Sequence, residues 1–133
     1  MLDVGTGTGL SPSYFRRDLS ITGIDISENK LARAEQRARR KKLKNIAALS
    51  VMDVSDMQFA DGQVDSVLGT FAMSVAPDPA AVLAEIARVT RFGGRVYLFN
   101  HFRADEEDNR ALVMAERAGV QSRFSFLLLP LVT

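Results

Sequence analysis

Leu2-Asp3-Val4-Gly5-Thr6-Gly7-Thr8-Gly9, and behind it Gly23-Ile24-Asp25-Ile26-Ser27, decide how this chain is read. A short apolar run, Leu2 to Val4, breaks into alternating glycines, and Ser11-Pro12 then offers a helix entry. Serine can cap the first free N–H groups, and proline has its φ already set for the first helical position. A glycine-rich turn between a strand and a helix lets backbone approach a ligand, because no Cβ intrudes. The nicotinamide-dinucleotide fingerprint wants glycine at Gly5, Gly7 and position 10, but position 10 is Leu10 and the third glycine is Gly9. Asp25 ends the next apolar run, twenty positions after Gly5. A carboxylate placed there can accept from both hydroxyls of an adenosine ribose. Standing alone, it would read equally well as a helix cap.

Working outward, strand and helix patterns alternate. Ile21 to Ile26 is the second strand, and Ser27 caps a helix with the apolar stripe Leu31, Ala34 and Ala38. Ile46 to Met52 is a third strand, stopped at Asp53. Asp61-Gly62 marks a turn, and Val64 to Gly69 is a fourth strand. Pro77-Asp78-Pro79 opens a helix with Asp78 as N-cap and a core face of Val82, Leu83, Ile86 and Val89. Gly93-Gly94 is expected to end it, ahead of a fifth strand from Arg95 to Asn100. Asp105 to Ala118 reads as a helix stopped by Gly119, and Phe124 to Val132 is apolar without a clear assignment. The expected architecture is an α/β, Rossmann-like three-layer sandwich with a mostly parallel sheet. Asp3, Asp25 and Asp53 then all reach the carboxyl edge of the sheet, where open α/β sheets bind ligands.

Composition narrows the function classes. The 133 residues suffice for one domain, with 47% hydrophobic and 25% charged residues. The net charge of +1 gives no reason to expect nucleic acid. No cysteine is present, so disulfides and thiolate chemistry are excluded, and His101 is the only histidine, so no metal site is expected. No apolar run approaches the roughly 18–20 residues that span a bilayer, and the N-terminal residues are unlike a secretory signal. A cytoplasmic location is expected. Charge is nevertheless uneven: eight of the fifteen residues from Lys30 to Lys44 are basic, with Glu35 the lone acid. That run is either a solvated helix face or a patch for an anionic membrane surface, where each basic residue adds roughly 1 kcal/mol.

These motifs, in this order, resemble those of class I S-adenosylmethionine-dependent methyltransferases. Met1 to Gly9 resembles the first motif and Gly23 to Ser27 the second. Val51-Met52-Asp53-Val54 resembles the third, whose aspartate contacts the adenine amino group in that family. Val64 to Gly69 and Arg88 to Arg95 resemble the fourth strand and the approach to the fifth, with Phe92 standing where the family usually has proline. The resemblance covers about residues 1–102. It implies that Asp3, Gly5, Thr6, Gly7, Gly9, Asp25, Ile26, Asp53 and Val54 hold S-adenosylmethionine. It also implies about seven strands against five visible here, so the last two strands are expected to be missing and the single domain to be truncated at both ends.

Two segments are more particular. Phe71 to Pro79 and Asn100-His101-Phe102 resemble the bacterial phosphatidylethanolamine N-methyltransferases. In those enzymes the corresponding stretches line the substrate side, which here means Phe71, Met73, Asn100 and His101. The resemblance implies methylation of a phospholipid headgroup amine, with His101 as candidate proton acceptor and the basic helix meeting the membrane surface. Ordinary core packing of Phe71, Met73 and Val75 is the alternative at those positions. A small-molecule methyltransferase of quinone biosynthesis, or a cofactor-binding fragment without catalysis, are the other readings.

Overall fold

A computed structural model describes residues 1–70, 72–100 and 125–130. The strands are β1 (Leu2–Val4), β2 (Ile21–Asp25), β3 (Ile46–Val51), β4 (Val64–Thr70), β5 (Thr90–Asn100) and β6 (Ser125–Pro130). The α-helices are α1 (Glu28–Arg40), α2 (Ala72–Val75) and α3 (Pro79–Val89). The sheet order is β3-β2-β1-β4-β5-β6, and every pairing is parallel. Chain order reverses between β1 and β4, which makes that gap the topological switch point. Right-handed crossovers place α1, which leads leftward from β2 to β3, and α3, which leads rightward from β4 to β5, on opposite faces.

The core explains the pattern. Leu2, Val4, Ile24, Val67, Val96 and Leu98 from the strands pack with Val82, Leu83, Ile86 and Val89 of α3, all buried. The expected face of α3 is therefore the one that packs, and Asp78 caps it by accepting from the Ala81 N–H at 3.1 Å. Ser27 caps α1 by accepting from Lys30 N–H at 3.3 Å, with Leu31 and Ala34 buried and Ala38 half-buried.

Two expectations are corrected and one unassigned stretch is placed. Ser11 does not cap a helix: Ser11–Tyr14 is a single 3₁₀ turn with Leu10 at the cap position and no side-chain cap. Gly93-Gly94 does not end α3. That helix stops at Val89, where the Thr90 hydroxyl donates to the Ile86 carbonyl at 2.6 Å, and the glycines lie inside β5. There the pairing jumps from Val64–Thr90 to Ser66–Arg95, a bulge. Gly94 suits it because a Cβ would lie 2.8 Å from the Asp65 carbonyl oxygen. Finally, the unassigned apolar stretch supplies a sixth strand, paired with β5 from Arg95–Ser125 to Asn100–Pro130. The helix expected over residues 105–118 lies outside the described residues.

Candidate functional site

The loop after β1 is tied down by backbone first. Gly5 and Thr6 N–H both donate to the Ile24 carbonyl, at 2.9 and 3.0 Å, folding the chain over the tip of β2. The Gly7 N–H donates to Asp25 Oδ2 at 2.9 Å, and the Ser27 N–H donates to Asp25 Oδ1 at 2.9 Å. Each carboxylate oxygen keeps a further lone pair for a ligand. Farther along, the Thr8 carbonyl accepts from Arg37 Nε at 3.1 Å, and Gly9 lies against Ala34 of α1.

Asp53 ends β3 in a compact turn. Its Oδ1 accepts from the Ser55 hydroxyl at 2.7 Å and the Ser55 N–H at 2.9 Å. These two bonds hold its carboxyl below the usual carboxylate range. No polar partner is found for Oδ2 among the described residues, so Asp53 can act as an ionised acceptor.

A cavity of about 300 Å³ opens at the switch point, and Gly5, Asp25, Ile26, Asp53 and Val54 line it together. Its opposite wall comes from α2 and the segment leading into α3, including Ala72, Val75 and Asp78. Other sequence-derived residues serve it from outside. Gly7 braces Asp25, Gly9 packs on α1, and the buried Thr6 donates its hydroxyl to the Asp3 carbonyl at 2.9 Å. Phe71 and His101 lie outside the described residues. Met73, in α2, and Asn100, at the end of β5, are placed by backbone alone.

Sequence reasoning passed over Ser55, Lys30 and Asp78 as cavity residues. Asp53-x-Ser55 was a legible turn signal. Asp78 was read only as a cap, and Lys30 only as part of the basic run.

Asp3 is the unusual group. It is 0% exposed, and neither carboxylate oxygen has a hydrogen-bond partner. Burial, partly offset by the nearby Thr6 hydroxyl and reinforced by the negative charge of Asp25, pushes its carboxyl up to about 6. The unfolded value is the ordinary 3.8, so the stability tied to the protonated form is complete below that and lost as pH rises through about 6. Beyond it, the buried charge costs about 3 kcal/mol. Asp3→Asn is therefore expected to stabilise the ligand-free chain by up to about 3 kcal/mol at pH 8 and by little at pH 4. Urea denaturation at both pH values checks this, and an equal effect at both would contradict it.

Among the described residues there is no cluster of three metal-ligating side chains, and no helix is long and apolar enough to cross a membrane.

Residues 2–98, well over half of the chain, match the family described as a methyltransferase domain. The chain is 41% identical over 106 residues to a phosphatidylethanolamine N-methyltransferase of Cereibacter sphaeroides, covering 80% of this chain and 52% of that protein. It is 36% identical over 102 residues to a ubiquinone biosynthesis O-methyltransferase of Pseudomonas paraeruginosa, covering 74% and 42%. Among solved structures, a SAM-dependent methyltransferase from Methanosarcina mazei superposes with a TM-score of 0.65 at 30% identity, covering 73% of this chain and 50% of that one. The chain spans about half the length, or less, of these curated relatives.

Proposed function

The chain belongs to the methyltransferase-domain family, whose cofactor is S-adenosylmethionine, and on that premise we propose that it methylates the headgroup amine of a phospholipid, phosphatidylethanolamine. The observation that carries cofactor use is the meeting of Gly5, Asp25 and Asp53 in one cavity at the switch point. The acceptor rests on the 41% likeness to a phosphatidylethanolamine N-methyltransferase and on Asn100-His101-Phe102.

The residues present fit the cofactor. Asp25 has lone pairs left for two ribose hydroxyls, and Asp53 has a free oxygen for the adenine amino group. Ile26 offers apolar surface beside them. The buried, unpartnered carboxylate of Asp3, which does not itself line the cavity, suits a cationic group, as the methionyl ammonium is. The cofactor supplies an already activated methyl group when bound. The chain's task is then to hold donor and acceptor in line. An ammonium has no lone pair, so the acceptor amine must lose a proton first. His101, just beyond β5, is the candidate to take it.

The basic run contributes less directly than its charge suggests. Arg37 is spent on the Thr8 carbonyl, and Arg39 pairs with Glu35 at 2.7 Å. Arg40, Lys41 and Lys42 are exposed at the C-terminal end of α1, whereas Ser27 at its other end lines the cavity. Thirteen helical residues separate the two by roughly 20 Å. A membrane holding that cluster therefore meets the cavity only if α1 lies along the surface.

Parallel methyl-transfer assays test the reading. The expected result is N-methylation of phosphatidylethanolamine, faster in anionic than in neutral vesicles and slowed by salt. His101→Ala is expected to slow it about a hundredfold with cofactor saturating. Transfer only to a phenolic quinone precursor would overturn the acceptor, and full turnover of His101→Ala across pH would remove that residue's role.

A further inference from the structure

We propose that Arg88 and Glu85 of α3 are positioning residues for adenine recognition, holding in place the turn that carries Asp53. This rests on the cofactor reading above. It concerns side chains that line no part of the cavity.

Arg88 divides its guanidinium between the loop joining β3 to β4 and Glu85 of its own helix. Nη1 donates to the Phe59 carbonyl at 2.7 Å and to Asp61 Oδ1 at 2.9 Å, and Nη2 donates to the Met57 carbonyl at 2.8 Å. The guanidinium also forks onto Glu85, with Nε on Oε1 at 2.6 Å and Nη2 on Oε2 at 2.9 Å. Glu85 Oε2 in turn accepts the Met57 N–H at 2.6 Å. Both peptide groups of Met57 are thereby held by α3, and its side chain is 3% exposed in the core. Arginine at this pair keeps the Glu85 carboxyl below the usual range, so the pair stays ionised.

The consequence falls on Asp53. On one side its turn is fixed by Met52 N–H donating to the Asp25 carbonyl at 3.0 Å. On the other side the chain is fixed at Met57, four residues on, by Glu85 and Arg88. Between those anchors, among the described residues, lie the local bonds of the Asp53–Ser55 turn, the Asp56 N–H donating to the Asp53 carbonyl at 3.1 Å, and the packing of Val54 against the core. Releasing the second anchor frees the angle at which Asp53 presents its open oxygen. Hydrogen-bond strength is sharply sensitive to such aim.

Calorimetry with S-adenosylhomocysteine and with S-inosylhomocysteine, which lacks the exocyclic amine, reads that aim. Wild type is expected to prefer the adenine ligand by about 10- to 100-fold, the range for a hydrogen bond to a charged group. In Arg88→Lys, a point charge replaces the fork, and the preference is expected to fall to within about threefold. Asp53→Asn is expected to do the same, and the double variant to lose no more. Should Arg88→Lys fail to fold, Glu85→Gln, which keeps the volume, takes its place. An undiminished preference overturns the inference, even if both affinities fall together, as a merely structural role would have it. Failure of wild type to bind S-adenosylhomocysteine would instead sink the cofactor reading, and this inference with it. Tight binding of both ligands alike by wild type would overturn the inference alone.

Discussion

Replacing Asp25 by alanine is expected to weaken S-adenosylhomocysteine binding by about 10²–10³-fold. The carboxylate does two things at once. It accepts the Gly7 and Ser27 N–H groups, at 2.9 Å each, and so sets the glycine loop against the start of α1. It also faces the cavity, where its remaining lone pairs are available to the ribose. Two hydrogen bonds to a charged group are worth roughly 3–4 kcal/mol together, which is the stated loss. Asp25→Asn is expected to be nearly as poor. An amide has one acceptor end, so its NH₂ would face either the Gly7 or the Ser27 N–H, donor against donor. Calorimetry decides, and an affinity for either variant within threefold of wild type would remove Asp25 from the site.

The second large effect concerns stability rather than affinity. Gly9 has φ +75, and a Cβ added there would lie 2.8 Å from Ala34 Cβ and 2.9 Å from Ala34 Cα. A left-handed non-glycine residue costs of order 1–3 kcal/mol, and overpacking a further 1–3. Gly9→Ala is thus expected to destabilise the chain by about 4 kcal/mol, against total stabilities of 5–15 for such domains. Gly93 supplies the control. It has the same φ of +75, but nothing lies within 4 Å of its virtual Cβ. Gly93→Ala should show the conformational cost alone, about 1 kcal/mol. Equal midpoints for the two variants in urea would mean that the loop does not press on α1.

What could be read from the sequence was what local chemistry specifies. Ser27 and Asp78 were legible as caps, because a cap needs only a short polar side chain beside three free N–H groups. Val82, Ile86 and Val89 were legible because a helix buries one stripe. That Asp25 and Asp53 come together in one cavity was legible because acids at successive strand ends fall on one edge of a parallel sheet. The mistakes arose where tertiary contacts overrode local signals. Ser11-Pro12 promised a helix, but Ser11–Tyr14 makes a single 3₁₀ turn and the chain is extended at Phe15. Gly93-Gly94 looked like a helix stop, but Gly94 answers the close approach of β4 at Asp65 and Gly93 supplies a positive φ of +75. Nothing local marks the Arg88 fork, whose loop partners lie 27 to 31 residues away in sequence. The same holds for the second cavity wall, since Asp78 reaches the site only through the packing of α3 against the sheet.

Amide chemical shifts, followed while S-adenosylhomocysteine is titrated into the ¹⁵N-labelled chain, put the proposed location of the adenosyl group to the test residue by residue. The expected result is a saturable change at Gly5, Gly7, Asp25 to Ser27 and Asp53 to Ser55, with the separate groove that Ala38 and Arg39 of α1, Lys42, Lys44 and Ile46 of β3 line left unmoved. Saturable binding that left those strand tips unchanged, or that gathered its shifts at the groove, would contradict the assignment.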